Sequence, residues 1–235
     1  MSLRIVTRII ALTIAALVVA ACGGAASVAV DPTATPTATP AAATSAGTTA
    51  ATATGATWTV TDKSKATVRV REQLVGVNLP SDAVLTATGA KGSFALNADG
   101  TFSGDSKLTF DLTTLSSDSR DRDNFVKQDT LATRQFPTAT FVPTKATGLT
   151  LPLPASGDFT FTLTGTLTIR GKDKQVTFDV KATRNGGDLA ATATANPSLK
   201  FGDFGMSAPS VPFRVVSVTD EIRLAIDIVA TGPAS

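Results

Sequence analysis

The chain has 235 residues, with 21 Lys+Arg against 19 Asp+Glu, 43% hydrophobic residues, no His, no Tyr, one Cys and one Trp. Those absences exclude a Ser-His-Asp triad, a His general base, an intrachain disulfide and a zinc site of convergent Cys and His. The near-neutral balance lacks the clustered basic face that nucleic acid requires, so no nucleic-acid partner is expected, and the apolar fraction is ample for a packed core.

Residues 1–21 carry Arg4 and Arg8, an apolar stretch from Ile9 to Val19, and then small residues. This is the layout of a secretory signal peptide, and the stretch is shorter than the roughly 20 residues a spanning helix needs. Its removal leaves 19 basic and 19 acidic residues, a neutral mature chain. The run Leu17-Val18-Val19-Ala20-Ala21-Cys22-Gly23 looks like a bacterial lipobox, with the lone Cys at its acylation position. It implies a lipidated Cys22 and an extracytoplasmic protein anchored to the cell membrane, in the periplasm or at the cell surface, because more than one acyl chain gives stable attachment. Residues 22–57 are rich in Ala, Thr and Pro with a single charge, Asp31. The run Thr33–Pro40 favours extended polyproline-like conformations, so this segment reads as a disordered linker with a maximum reach of order 100 Å at about 3.1 Å per residue.

From Trp58 the pattern alternates with period 2, and residues 58–230 read as one β domain followed by a tail, 231–235. The clearest strand is Gly157 to Ile169, with Phe159, Phe161, Leu163, Gly165, Leu167 and Ile169 on one face and five threonines on the other. Gly171-Lys172-Asp173-Lys174 turns the chain into Val176–Thr183, and Asn185-Gly186-Gly187-Asp188 turns it again into Leu189–Ala195. The same alternation predicts strands over Trp58–Arg71, Ala83–Asn97 with a kink at Gly89–Gly92, Thr101–Leu112, Ala139–Gly148 and Ser217–Ala230. Asp118–Leu131 reads as a short helix with Asp118 or Ser119 as N-cap, lying over one end of the sheet. Eight long strands predict an all-β fold, an eight-stranded antiparallel barrel, which has no free edges and has room for side chains or one ligand.

Asp203-Phe204-Gly205 has the letters of a kinase magnesium motif, but the accompanying H-R-D loop is impossible without His. Phe201, Phe204 and Met206 read instead as lining or plugging one barrel end. Arg120-Asp121-Arg122-Asp123 reads as a salt-bridged helix start; a catalytic role for Asp121 or Asp123 would need a second carboxylate across a pocket. Small residues at inward positions (Ala66, Gly104, Ser106, Gly165, Ala182) point to unfilled interior volume. The side chains expected to line it are Val68 and Val70 on the first strand, Phe94 on the second, and Phe102, Leu108 and Phe110 on the third. Phe141 on the fourth, Phe159, Phe161 and Leu163 on the fifth, Phe178 on the sixth and Phe204 before the last complete the set.

The segments Trp58-Thr59-Val60-Thr61-Asp62, Asp111 to Asp118 followed by Arg122-Asp123-Asn124-Phe125, Phe136 to Phe141, Leu163 to Gly171 and Asp203-Phe204-Gly205-Met206 occur in an order and spacing that resembles the YceI-like family of lipid-binding, lipocalin-like barrels. The resemblance covers Trp58 to Ala230. It implies a secreted or periplasmic barrel enclosing a polyisoprenoid or isoprenoid quinone; no other cofactor, no metal and no catalysis are expected. Members often carry a His in the first strand region and another before the Gly after the long strand; this chain has Lys65 nearby and Arg170, so no headgroup contact by His carries over. The leading expectation is therefore a membrane-anchored carrier of an apolar lipid. A filled barrel displayed on a stalk as an interaction module is the alternative, and a carboxylate-dependent hydrolase the third reading.

Overall fold

A computed structural model describes residues 55–233. The expected signal peptide, the lipobox Cys22 and the linker up to residue 54 lie outside the described residues. Ten antiparallel strands form one sheet: β1 (Thr57–Val60), β2 (Lys65–Leu74), β3 (Ser81–Ala87), β4 (Lys91–Ala95), β5 (Lys107–Asp111), β6 (Thr138–Thr147), β7 (Ser156–Ile169), β8 (Lys172–Asn185), β9 (Asp188–Ala195) and β10 (Val215–Thr231).

The alternation in the sequence sets the faces. In β8, Val176, Phe178, Val180, Ala182 and Arg184 are buried while Lys181, Thr183 and Asp179 between them are exposed. β7 pairs with β8 without interruption from Ser156↔Asn185 to Ile169↔Lys172. The turn between them is Arg170-Gly171, both at left-handed φ (52° and 67°), the conformation of a type I′ hairpin. It lies earlier than the expected Gly171–Lys174, because placing both positive φ values there frees Lys172–Lys174 to extend the ladder.

The strands β1, β4, β5, β6, β7, β8, β9 and β10 follow one another around a ring, and β1 closes it by pairing with β10; β2 and β3 continue from the other part of β10. Ten strands follow eight paths because two expected strands are interrupted. The first breaks at Thr61–Ser64, where Ser64 is fully buried and its hydroxyl stands in for a strand: Val229 N–H donates to Ser64 Oγ at 2.8 Å, and that hydroxyl donates to Val229 O at 3.1 Å. The second breaks around Gly89, at φ 71°, between β3 and β4. The expected third strand keeps only isolated bridges at Thr101 and Phe102 before a turn at Gly104–Asp105. Gly104, expected to face inward, is therefore exposed.

Asp111 accepts the Thr113 N–H and starts a 3-10 turn, Leu112–Thr114. Ser119 caps α1 (Arg120–Phe125), accepting the Arg122 N–H, and α1 runs on into a π-helical turn, Val126–Thr130. A 3-10 turn at Phe201–Phe204 ends on Gly205 in the left-handed region. The buried core draws on β1, β2, β3, β5, β6, β7, β8, β9 and β10, together with Leu115, Leu131, Phe201 and Phe204.

Candidate functional site

Among the described residues, apolar side chains line two spaces that share no lining residue. The larger cavity measures about 900 Å³ and lies between the β2–β3–β10 part of the sheet and the helical segment. Val68 and Val70 of β2, Ala83 and Leu85 of β3, Val218 and Ile222 of β10, and Leu112, Leu115, Phe125, Val126 and Leu131 line it, with Phe201 and Met206. No residue of α1 is fully buried. The apolar side of this segment thus borders the cavity, while Val126 and Leu131 also pack against the core. Val75, Val77 and Phe213 line the same cavity and are exposed, so the space opens to the outside between the β2–β3 connection and the segment before β10.

One polar group of the wall is strongly paired. Arg122 donates from Nη2 to Glu72 Oε1 at 2.7 Å and from Nη1 to Asp118 and to Ser117 Oγ. Burial pushes the Arg122 guanidinium down, but the charges and hydrogen bonds of Glu72 and Asp118 outweigh it and hold the group above the ordinary arginine value. Asp123 accepts from Ser117 Oγ at 2.7 Å, and Asp121 accepts from Arg214 Nη1 at 2.6 Å near the opening. Each of the two aspartates weighed for catalysis is thus engaged by a neighbour. Among the described residues no group of three or more His, Cys, Asp or Glu could hold a metal ion.

The smaller cavity, about 100 Å³, is lined by Phe94, Phe102, Leu108, Phe141, Phe159, Phe161, Leu163 and Phe178, with Trp58 and Leu153 among others. Edge-on ring pairs, Phe94–Phe102 at 6.3 Å and Phe141–Phe178 at 5.3 Å between centroids, stiffen its wall. At Trp58 the guanidinium of buried Arg184 sits 4.9 Å from the indole centroid and donates to Leu153 O, Pro154 O and Gly186 O.

Of the residues expected to line one interior, Val68 and Val70 meet the larger cavity and eight meet the smaller. Phe110 and Phe204 line neither. They are buried with Leu167, Val176 and Leu224, which also line neither cavity. The single expected interior is thus two chambers. Gly165 leaves no space either: a Cβ there would stand 2.5 Å from Phe141 Cζ, so the ring already occupies the volume. The contributions of Leu74, Val75, Val77, Phe125, Val211 and Phe213 to the larger chamber come from a strand end, loops and a helix, where strand alternation carries no signal.

A model of the YceI-like domain matches residues 58–230. A UPF0312 protein of Pseudomonas putida is 36% identical over an aligned stretch of 135 residues; the match covers 51% of this chain and 66% of that protein, just under two thirds of its length. A solved polyisoprenoid binding domain from Saccharophagus degradans, implicated in plant cell wall breakdown, superposes with a TM-score of 0.55 at 11% identity, covering 75% of this chain and 98% of that one. BcnA of Burkholderia cenocepacia superposes with a TM-score of 0.53 at 22% identity, covering 72% and 97%. At such identities the likeness shows the shared fold.

Proposed function

Because this chain belongs to the YceI-like domain family, we propose that it is a binding protein which encloses a long apolar isoprenoid-type lipid and performs no chemistry on it. The observation that carries this reading is the open, largely apolar cavity of about 900 Å³ beneath the helical segment. It lies within the roughly 300–1,000 Å³ range of small-molecule sites. Each buried carbon contributes about 0.8 kcal/mol, so a five-carbon unit contributes roughly 4 kcal/mol gross. Three or four enclosed units reach micromolar affinity or better after ordering costs of several kcal/mol. Burial alone can hold such a chain, and the Glu72–Arg122 pair gives the same wall a polar point at which a headgroup can be oriented.

The lipobox around Cys22 supports an extracytoplasmic, membrane-anchored location, with the linker as spacer. A filled barrel acting only as an interaction module would leave no such chamber beneath α1. Native mass spectrometry of the chain purified from its own host tests the proposal. A noncovalent adduct whose extract shows five-carbon increments is expected. A protein that carries no lipid and takes up no isoprenoid from micelles would overturn it.

A further inference from the structure

The large apolar side chains that stand exposed among the described residues are Val75, Val77, Leu79, Val84, Phe213 and Val216. Five of them lie on two segments, the β2–β3 connection and the run from Phe213 into the start of β10, which the Val75 N–H to Arg214 O hydrogen bond (3.0 Å) holds side by side. Val75, Val77 and Phe213 also line the larger cavity, so the patch is its rim. Contiguous exposed apolar surface on a soluble domain marks a contact site. Phe213 adds a second observation: it is 95% exposed and is held at φ 64°, a left-handed conformation that is an outlier for a bulky side chain. Strain of this kind persists where the surrounding structure imposes it, often at ligand clamps and other functional positions.

Charge selects the occupant. Residues 73–81 and 204–213 contain no Asp, Glu, Lys or Arg, and Arg214 next to them is paired with Asp121. An uncharged apolar rim matches the hydrocarbon of a bilayer and makes no demand for anionic headgroups. The chain before the barrel permits the approach. Trp58 belongs to the smaller cavity, away from this mouth. Residues 23–57 reach of order 100 Å when extended, whereas the 17 residues of β10 span about 56 Å at roughly 3.3 Å each. A barrel tethered through Cys22 can therefore turn its mouth to the membrane that holds it.

We propose that the rim of the larger cavity docks on a lipid bilayer, inserting Phe213, Val75, Val77 and Leu79 among the acyl chains, so that the cavity exchanges its ligand directly with the membrane. This rests on the lipid-binding reading for its purpose, though insertion is measured without any ligand. The full chain carrying Phe213→Trp is mixed with phosphatidylcholine vesicles with brominated acyl chains. Trp58, buried in the barrel, serves as the unquenched reference. The introduced tryptophan is expected to shift to the blue and be quenched, equally at low and high salt because no ion pairing is involved. Adding Leu79→Glu, at a rim residue that does not line the cavity, should weaken the quenching about tenfold or more at a given lipid concentration. In the otherwise native chain, Leu79→Glu should slow lipid transfer from donor vesicles by a similar factor while leaving equilibrium loading unchanged. An introduced tryptophan that stays unquenched, a blue shift that follows protein concentration without vesicles and so marks a second copy, or quenching abolished by salt would each overturn docking. Quenching in a protein that never loads lipid would leave docking standing and sink the carrier reading.

Discussion

Arg122 Nη2 of α1 lies 2.7 Å from Glu72 Oε1 of β2, across 50 positions of sequence, and Glu72 is only 7% exposed. The pair fastens the helical segment to the sheet on the wall of the larger chamber. Removing one member strands the other charge at a buried site, which is far costlier than removing both. Arg122→Met is expected to destabilise the domain by about 3 kcal/mol, and Glu72→Leu with Arg122→Met by much less. Chemical denaturation of the single and double variants measures the difference; equal losses would show that the pair does not couple α1 to β2.

Whether a chamber is empty of protein can be read from what an enlarged side chain does. Val70→Phe projects into the larger cavity and should lower stability by less than about 1 kcal/mol, while Leu167→Trp, in the packed region that lines neither cavity, should lower it by roughly 1–3 kcal/mol. Thermal melts give the stability order, and lipid retention by Val70→Phe should fall because the volume is taken.

Asp203 gives the fold an acid-sensitive contact. The hydrogen bond from Lys174 Nζ (2.7 Å), aided by the Lys200 N–H (2.9 Å), holds its carboxyl below the ordinary carboxylate value against the opposing effect of burial. The unfolded chain therefore takes up the proton first. The stabilisation is full above the ordinary carboxylate range and disappears as pH falls through the lower folded value. Asp203→Asn should be less stable than the parent at neutral pH, with the gap closing in acid. A gap that is constant down to pH 2 would rule out this linkage.

Gly165 faces Phe141 Cζ and Val142 O, both 2.5 Å from where a Cβ would stand. Since a backbone carbonyl cannot swing away as a side-chain tip can, Gly165→Ala should cost about 1–3 kcal/mol. A melting temperature within a degree of the parent would show that β6 and β7 can separate locally.

Period-2 alternation made the eight strand paths legible, and β7 and β8 show why: their outward threonines, lysines and aspartate leave one choice of inner face. Alternation states which way Phe110 or Phe161 points. It does not state what stands opposite, and so cannot distinguish a ring that plugs the barrel from one that borders a void. The larger chamber was hidden for a related reason. Its mouth and roof come from Val75, Val77, Phe125 and Phe213, which meet only after α1 has crossed the sheet and two connections have come together. Ser64 was equally unreadable, since a small polar residue between two strands reads as a turn until Val229 is seen bonded to it.

The closure of the ring also sets an order of events. Thr61 Oγ1 donates to Val229 O across 168 positions, and Thr59 and Val60 pair with Thr231 and Ala230. A chain emerging N-terminus first cannot complete its barrel until its last strand has appeared, and until then the inner faces of β6, β7 and β8 remain uncovered. Contacts of such separation fold slowly and leave sticky surface in the interim. The interval between the appearance of β1 and that of β10 is thus when this protein is most in need of protection, and shortening β10 from its end would lengthen that interval without limit.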